Sequence, residues 1–247
     1  MPESDDTQTL ARLLRSRRSI RDFSAREVPA ALVDAILDDA RWAPSWSNTQ
    51  PYKIAVASGA LKEQIKAQLL ARYDAATKAP SGGPLDKLGA LLTREALPDG
   101  DFDTRIEYPA ELTPRRRATG FGLYATLGIA REDSAARSRQ MRRNFEFFGA
   151  PVALFVFVRQ ELGAYSILDA GILLQSLMLA AQARGLGTCA EGALATWAGP
   201  VREAFEVPPN HKLLCGLALG WPSEHAVNAY NPGRVNVAEM LVPEKRD

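Results

Sequence analysis

Apolar residues recur along this chain at two spacings, and the switches between them outline its elements. Residues 10–14 carry the first helical pattern. Across residues 29–42, Leu32, Val33, Ile36, Leu37 and Ala40 fall at helical spacing, with Pro29 placed to open a helix and Pro44 to end it. Residues 52–58 read as a strand closed by Gly59. Leu61, Ile65, Leu69 and Tyr73 then mark a second amphipathic helix. Further helices are predicted near residues 114–128 and 134–148. Residues 151–159 form an almost wholly apolar run of β-branched and aromatic side chains, the mark of a central strand buried on both faces. Residues 165–184 are apolar nearly all round, which predicts a buried helix with Gly185 at its C-terminal end. A second buried strand covers 213–219, and the tail from 222 to 243 holds turn residues and one last helix-like run.

Between 79 and 113 the periodicity fades. Pro80-Ser81-Gly82-Gly83-Pro84 and Leu97-Pro98-Asp99-Gly100-Asp101 are loop chemistry. Strands able to share one sheet lie on both sides of this stretch, so it reads as an excursion, a lid or a partner-wrapping arm, and not as a domain linker. No internal repeat occurs. The pattern predicts one α+β domain over residues 1–247, with a central mixed, mainly antiparallel sheet flanked by helices.

Composition narrows the function classes. The chain has 247 residues, 46% of them hydrophobic, enough for a sizeable core. Thirty Lys and Arg balance 29 Asp and Glu, for a net charge of +1. That lacks the basic excess of a dedicated nucleic-acid binder. The two cysteines, Cys189 and Cys215, sit in apolar surroundings, which excludes a disulfide scaffold and points to a reducing cytoplasm. His211 and His225 stand without Cys or carboxylate at ligand spacing, so no metal site is expected. Residues 1–8 are polar and acidic, without a signal-peptide core. The longest apolar run, 172–183, is broken by Gln175, Ser176 and Gln182 and is too short for a membrane span.

Four constellations carry candidate chemistry. Arg17-Arg18-Ser19-Ile20-Arg21 places three guanidiniums and a hydroxyl within five residues. Each guanidinium is a planar fork of donors suited to phosphate oxygens. Ala43-Pro44-Ser45-Trp46-Ser47-Asn48-Thr49-Gln50-Pro51-Tyr52 joins a helix end to a strand. Its prolines stiffen the backbone, and its Ser, Asn and Gln side chains suit the polar edge of a heterocycle. Gly185-Leu186-Gly187-Thr188-Cys189-Ala190-Glu191-Gly192 leaves the buried helix. Its order and spacing are wrong for a dinucleotide-binding G-x-G-x-x-G loop, but its glycines permit close approach of a flat ligand. Asn231-Pro232-Gly233-Arg234 puts an arginine on a late turn with no local acidic partner.

In this order the four motifs resemble the FMN-dependent nitroreductase family, over about residues 10–240. Arg142 to Pro151, with Arg115-Arg116-Arg117 before it, is similar to the branch of that family that holds 4-nitrobenzoate reductases. The resemblance implies an intertwined homodimer with FMN at the subunit interface. It assigns Arg17 and Ser19 to the FMN phosphate and ribityl chain, with Arg18 alongside and Arg234 closing on the phosphate. Arg21 falls by the pyrimidine edge, where a cation stabilises the anionic reduced flavin. Pro44, Ser45, Trp46 and Asn48 reach the flavin held mainly by the other subunit, and Glu191 and Gly192 lie near flavin N5. Trp46 departs from the family in size, and serves either to stack on substrate or to pack at the interface.

The implied activity is reduction of a nitroaromatic acceptor by NAD(P)H, with ping-pong hydride transfer through the flavin. The implied partners are a small aromatic substrate and a second copy of the chain, with no nucleic acid and no membrane. Two rivals stand beside it. The same flavoprotein scaffold serves quinone, enone or other metabolite chemistry, since fold does not settle function. A non-enzymatic module using its arginines on an acidic partner is disfavoured by the near-neutral charge.

Overall fold

The computed structural model describes residues 4–78, 97–104 and 106–245. Its centre is a sheet of β1 (Tyr52–Ser58), β2 (Val152–Arg159), β3 (Gly187–Glu191) and β4 (His211–Gly220). The strands lie in the order β1-β2-β4-β3, and each pair is antiparallel. The sheet expected as mixed and mainly antiparallel is thus antiparallel throughout its four strands, and the one parallel contact among the described residues is an isolated bridge outside them, between Ser19 and Thr188.

The apolar run that predicts β2 is explained by its place in the middle. Leu154 packs with Ile36 and Ala40 of α2 (Ala30–Ala40) and with Leu173 and Leu177 of a long helix on the same face. Phe155 and Phe157 point the other way, onto Ile65 and Leu69 of α3 (Gly59–Lys78) and onto Phe147. With both faces covered, alternation disappears from the sequence. Each fully buried Phe here contributes roughly 1.5–3 kcal/mol of transfer free energy. The other helices among the described residues are α1 (Asp5–Ser16), α4 (Thr113–Thr126), α5 (Ser134–Arg142), α6 (Ala164–Ala183), α7 (Gly199–Ala204) and the single turn α8 (Val237–Met240).

Three other expectations change. The segment 187–191 is strand β3, where the sequence pattern marks no element. The helix predicted over 134–148 stops at Arg142 and continues as a 3-10 segment, Arg143–Gly149. The cause is packing: Phe145, Phe147 and Phe148 are all buried. At about 100° per residue no single helix face holds these three rings. The backbone instead takes φ of 53° at both Phe147 and Phe148. Such left-handed geometry costs on the order of 1–3 kcal/mol per residue, which burial of the rings offsets.

The third change concerns α6, which is not buried all round. Asp169, Ala170, Leu173, Leu177 and Ala181 face inward, while Tyr165, Ile167 and Leu168 stay exposed. Its 20 residues are long and apolar enough to cross a membrane by length and composition alone, unlike the run 172–183 taken by itself. In the fold its inward face lies on the sheet.

Of the excursion at 79–113, residues 79–96 and 105 lie outside the described residues. The part from 97 to 104 is tied to the body. Asp99 accepts from Arg72 at 2.5 Å and from the Gly199 backbone N–H. Asp101 accepts at 2.6 Å from both Arg202 and the Leu213 backbone N–H.

Candidate functional site

The first motif leaves α1 in extended form and lies beside β3. The Ile20 N–H donates to the Thr188 carbonyl at 2.9 Å. This approach requires glycine at 187: a Cβ there would stand 2.5 Å from Ile20 Cγ1 and 2.9 Å from Pro222. Gly187 therefore serves the chain's own packing and not a ligand, while at Gly192 the space a Cβ would take is empty. Asn228 clamps the same segment from the other side. Its Oδ1 accepts from the backbone N–H of Arg21 at 2.9 Å and of Asp22 at 3.2 Å, and its Nδ2 donates to the Asp22 carbonyl at 2.7 Å. Asp22 also pairs with Arg143 at 2.9 Å.

So held, Arg17, Arg18, Ser19 and Arg21 line one small cavity of about 60 Å³ with Arg234, Thr119, Tyr230, Asn231 and Pro232. Residues 17–21 and 234, far apart in sequence, thus meet in one place. None of the four guanidiniums forms an ion pair among the described residues. Arg18 has a buried Nη1 with no acceptor. Burial, and then the neighbouring Arg234, lower the Arg17 pKa from its ordinary value. A cluster of like charges with unmet donors is the arrangement a phosphate completes. The residues present therefore fit the phosphate end of FMN.

Beside the cluster sits Glu191, 3% exposed, with neither carboxyl oxygen hydrogen-bonded. Burial pushes its pKa well above the ordinary range, against a smaller opposing pull from Arg21. Cys189, two residues earlier on β3, touches the same set; burial and then Glu191 push its thiol up to about 12, while Arg21, Arg17 and Ser19 pull it down. Opposite Glu191 in the ladder stands Gly216. A Cβ there would lie 2.2 Å from Leu194, so glycine admits the turn Gly192–Thr196 that follows β3.

The second motif lies elsewhere in the chain, on α6. The Trp46 N–H donates to both oxygens of Asp169 at 3.1 and 3.2 Å. One helical turn earlier, Tyr165 stacks on the Trp46 ring with centroids 4.4 Å apart. Between these anchors the backbone is strained: Ser47, Asn48 and Gln50 have φ of 50°, 53° and 47°. The Gln50 N–H donates to Ser45 Oγ at 2.9 Å, closing the loop on itself. Pro44, Trp46 and Asn48 are exposed. No hydrogen bond or ion pair among the described residues joins this loop to the arginine cluster.

Sequence reading missed Asn228, Thr119, Tyr230 and Asp169. Asn228 is six residues before Arg234 and gives no periodic signal; its role comes from a clamp across more than 200 residues of chain. Asp169 is a lone carboxylate in an apolar helix, a pattern that could have drawn notice. The arginines 115 and 116 are accounted for by structure: Arg115 pairs with Glu239 at 3.0 Å, and Arg116 lies over the Tyr108 ring.

Two outcomes follow. The unfolded Glu191 carboxyl titrates near its ordinary 4.5, and the folded one higher. Between those values the folded chain keeps a proton the unfolded chain has shed, so stability falls as pH rises through that window. The slope is about 1.4 kcal/mol per pH unit for one proton. Urea unfolding of Glu191→Gln from pH 5 to pH 8 should lack this contribution; a slope equal to the parent's would refute it. Asp169→Ala should cost about 1–3 kcal/mol and expose Trp46 further to acrylamide quenching, with far-UV dichroism retained. Unchanged quenching would remove Asp169 as the anchor.

Known proteins resemble this chain over most of its length. The family model described as "Nitroreductase family" matches residues 14–221. A 4-nitrobenzoate reductase of Pseudomonas putida is 36% identical over 212 residues, 85% of this chain and 84% of that protein. A nitrobenzene nitroreductase of Ectopseudomonas oleovorans is 31% identical over 239 residues, covering 94% and 93%. Among solved structures, the FMN-dependent nitroreductase NfnB of Mycobacterium smegmatis in complex with NADPH superposes with a TM-score of 0.83 at 31% identity, over 98% of this chain and 100% of that one. The chain belongs to the nitroreductase family.

Proposed function

We propose that this protein is an FMN-dependent NAD(P)H oxidoreductase that reduces nitroaromatic acceptors. The observation that carries the reading is the convergence of Arg17, Arg18, Arg21 and Arg234 on one cavity with no carboxylate among its described lining residues. It is supported by relatives named for reduction of 4-nitrobenzoate and nitrobenzene and by a solved relative in complex with NADPH. When bound, the flavin supplies hydride transfer between nicotinamide and acceptor. The chain's own part is placement and electrostatics. Arg17, Arg18, Ser19 and Arg234 hold the phosphate end, and Arg21 sets a positive charge at the pyrimidine edge. Glu191, a carboxyl that burial favours as neutral, and the open backbone at Gly192 would lie toward the redox-active edge. Two free buried thiols, Cys189 and Cys215, fit a cytoplasmic setting.

We infer further that the chain works as a homodimer in which Pro44, Ser45, Trp46 and Asn48 complete the flavin site of the partner subunit. The loop's separation from the arginine cluster within one chain supports this. So do the apolar side chains left exposed around it and on α6: Trp46 at 59%, Tyr165 at 49% and Leu168 at 55%. Sedimentation of the purified protein should give one boundary at twice the chain mass; a monomer retaining full flavin content would refute the shared site.

The function is tested by purifying the protein, releasing its cofactor by heat and identifying it as FMN. NADPH and NADH oxidation are then followed with 4-nitrobenzoate, a quinone and an enone, with nitro turnover and parallel double-reciprocal lines expected. Flavin reduction without nitro turnover favours the quinone or enone reading, and a colourless protein sinks both. Arg17→Ala should weaken FMN retention about tenfold to a hundredfold, the effect of one charge-assisted hydrogen bond to phosphate. Retention equal to the parent's would remove Arg17 from the phosphate site.

A further inference from the structure

Helix α4 has two different faces. Thr119 and Gly122 turn toward the tail: Tyr230 donates from its hydroxyl to the Thr119 carbonyl at 2.9 Å. Its ring also stands 2.8 Å from where a Cβ on Gly122 would be. Phe121, Tyr124 and Ala125 come out on roughly the opposite side at about 100° per residue. That opposite face walls a cavity of about 350 Å³, completed by Ile129, Arg131 and Arg137.

The chemistry of this cavity is one-sided. Two aromatic rings and two aliphatic side chains form its walls, and two guanidiniums are its charged groups, with no carboxylate in the lining. Arg131 lies over the Phe121 ring, 4.9 Å from its centroid. Arg137 adds a second guanidinium to the lining, although its Nε itself is buried away from the cavity. Of the two acids that follow Arg131 in the chain, Glu132 is outside the lining and Asp133 accepts from the Ala136 N–H at 2.8 Å as the cap of α5. The volume lies in the range of small-ligand pockets, where apolar walls set shape and a few polar groups fix orientation. A neutral ring would leave the two guanidiniums of the lining without a counter-charge. A bare inorganic anion would leave the aromatic walls unused.

We propose that this cavity binds an aromatic carboxylate, at a site separate from the arginine cluster of residues 17–21 and 234. The ring lies between Phe121, Tyr124 and Ile129, and the carboxylate accepts from Arg137, with Arg131 adding charge at the rim. The proposal goes beyond the flavin reading and stands on the pocket alone, so either fails without the other. If the acceptor is a nitrobenzoate, this face of α4 offers its class a second place to bind.

The test is calorimetric titration of the purified, FMN-loaded protein with benzoate, which carries no nitro group, and with benzamide as its uncharged analogue. Saturable benzoate binding is expected, with benzamide at least tenfold weaker. Arg137→Gln should reduce benzoate to the benzamide level, and Arg131→Gln should weaken it less. Flavin absorbance and the thermal melt confirm that each variant is folded. Absence of saturable binding, or full benzoate affinity in both variants, overturns the proposal. Release of FMN by benzoate assigns the anion to the arginine cluster and also overturns it. Turnover of nitrobenzene, which has no carboxylate, reports on the flavin reading independently.

Discussion

The pairing of the segment 19–20 with β3 is the contact on which the site depends. A single backbone hydrogen bond, Ile20 to Thr188, is worth about 0.5–1.5 kcal/mol net and by itself would not order a run of arginines. What makes it effective is the absence of a side chain at Gly187, which lets Ile20 and Pro222 close over β3. Asn228 then satisfies two backbone N–H groups and a carbonyl from the opposite side. The segment is thus gripped mainly through its main chain, with Arg21 Nη1 donating back to the Ser19 carbonyl at 3.3 Å and no ion pair on Arg17, Arg18 or Arg21 among the described residues.

That freedom from ion pairing explains the electrostatics. Within the described residues the ion pairs around the site use other groups: Asp22 takes Arg143, and Asp74 takes Arg142 through two parallel bonds of 2.9 and 3.0 Å. The four arginines of the cavity are held together without neutralisation, at a cost in self-repulsion that an anion removes. Glu191 is the complementary case. It is a carboxyl placed where burial disfavours its charge although Arg21 is near enough to oppose that effect. A fold that wanted only stability would pair these two groups. Keeping them apart sets a cationic region and a neutral acid side by side, a polarity suited to a ligand with an anionic end and a redox-active end.

Much of this architecture can be read from the sequence, and its limits are physical. The strands β2 and β4 and the helices α2, α3 and α6 announce themselves because each buries a long, regular apolar surface. Strand β3 does not: its five residues begin with Gly and end with Glu, and its identity comes from the neighbours β4 and the segment 19–20. The reversal at Phe147 and Phe148 is invisible for the same reason, since only tertiary packing justifies left-handed φ at two phenylalanines. Among site residues, the motifs at 17–21 and 234 are legible as donor clusters. The clamp by Asn228 is not, because a single amide acts here through position and not through pattern.

The loop 44–50 shows how the remaining strain is supported. Three non-glycine residues with positive φ would each cost on the order of 1–3 kcal/mol if the chain were free to relax. Relaxation is blocked at one end by Pro51 entering β1 and at the other by Asp169, whose two oxygens hold the Trp46 N–H. Tyr165 fixes the Trp46 ring from the same face of α6. Because α6 is itself packed on β1 and β2 through Leu173 and Leu177, the loop inherits the rigidity of the core while its polar side chains remain exposed. Strain concentrated in an exposed loop and backed by a buried carboxylate implies selection for the loop's shape. The arginine cluster needs a rigid main-chain grip to gather charge, and this loop needs a rigid helix to present shape. One sheet supplies both, its β3 edge holding the arginine segment and its face under α6 holding the helix that anchors the loop.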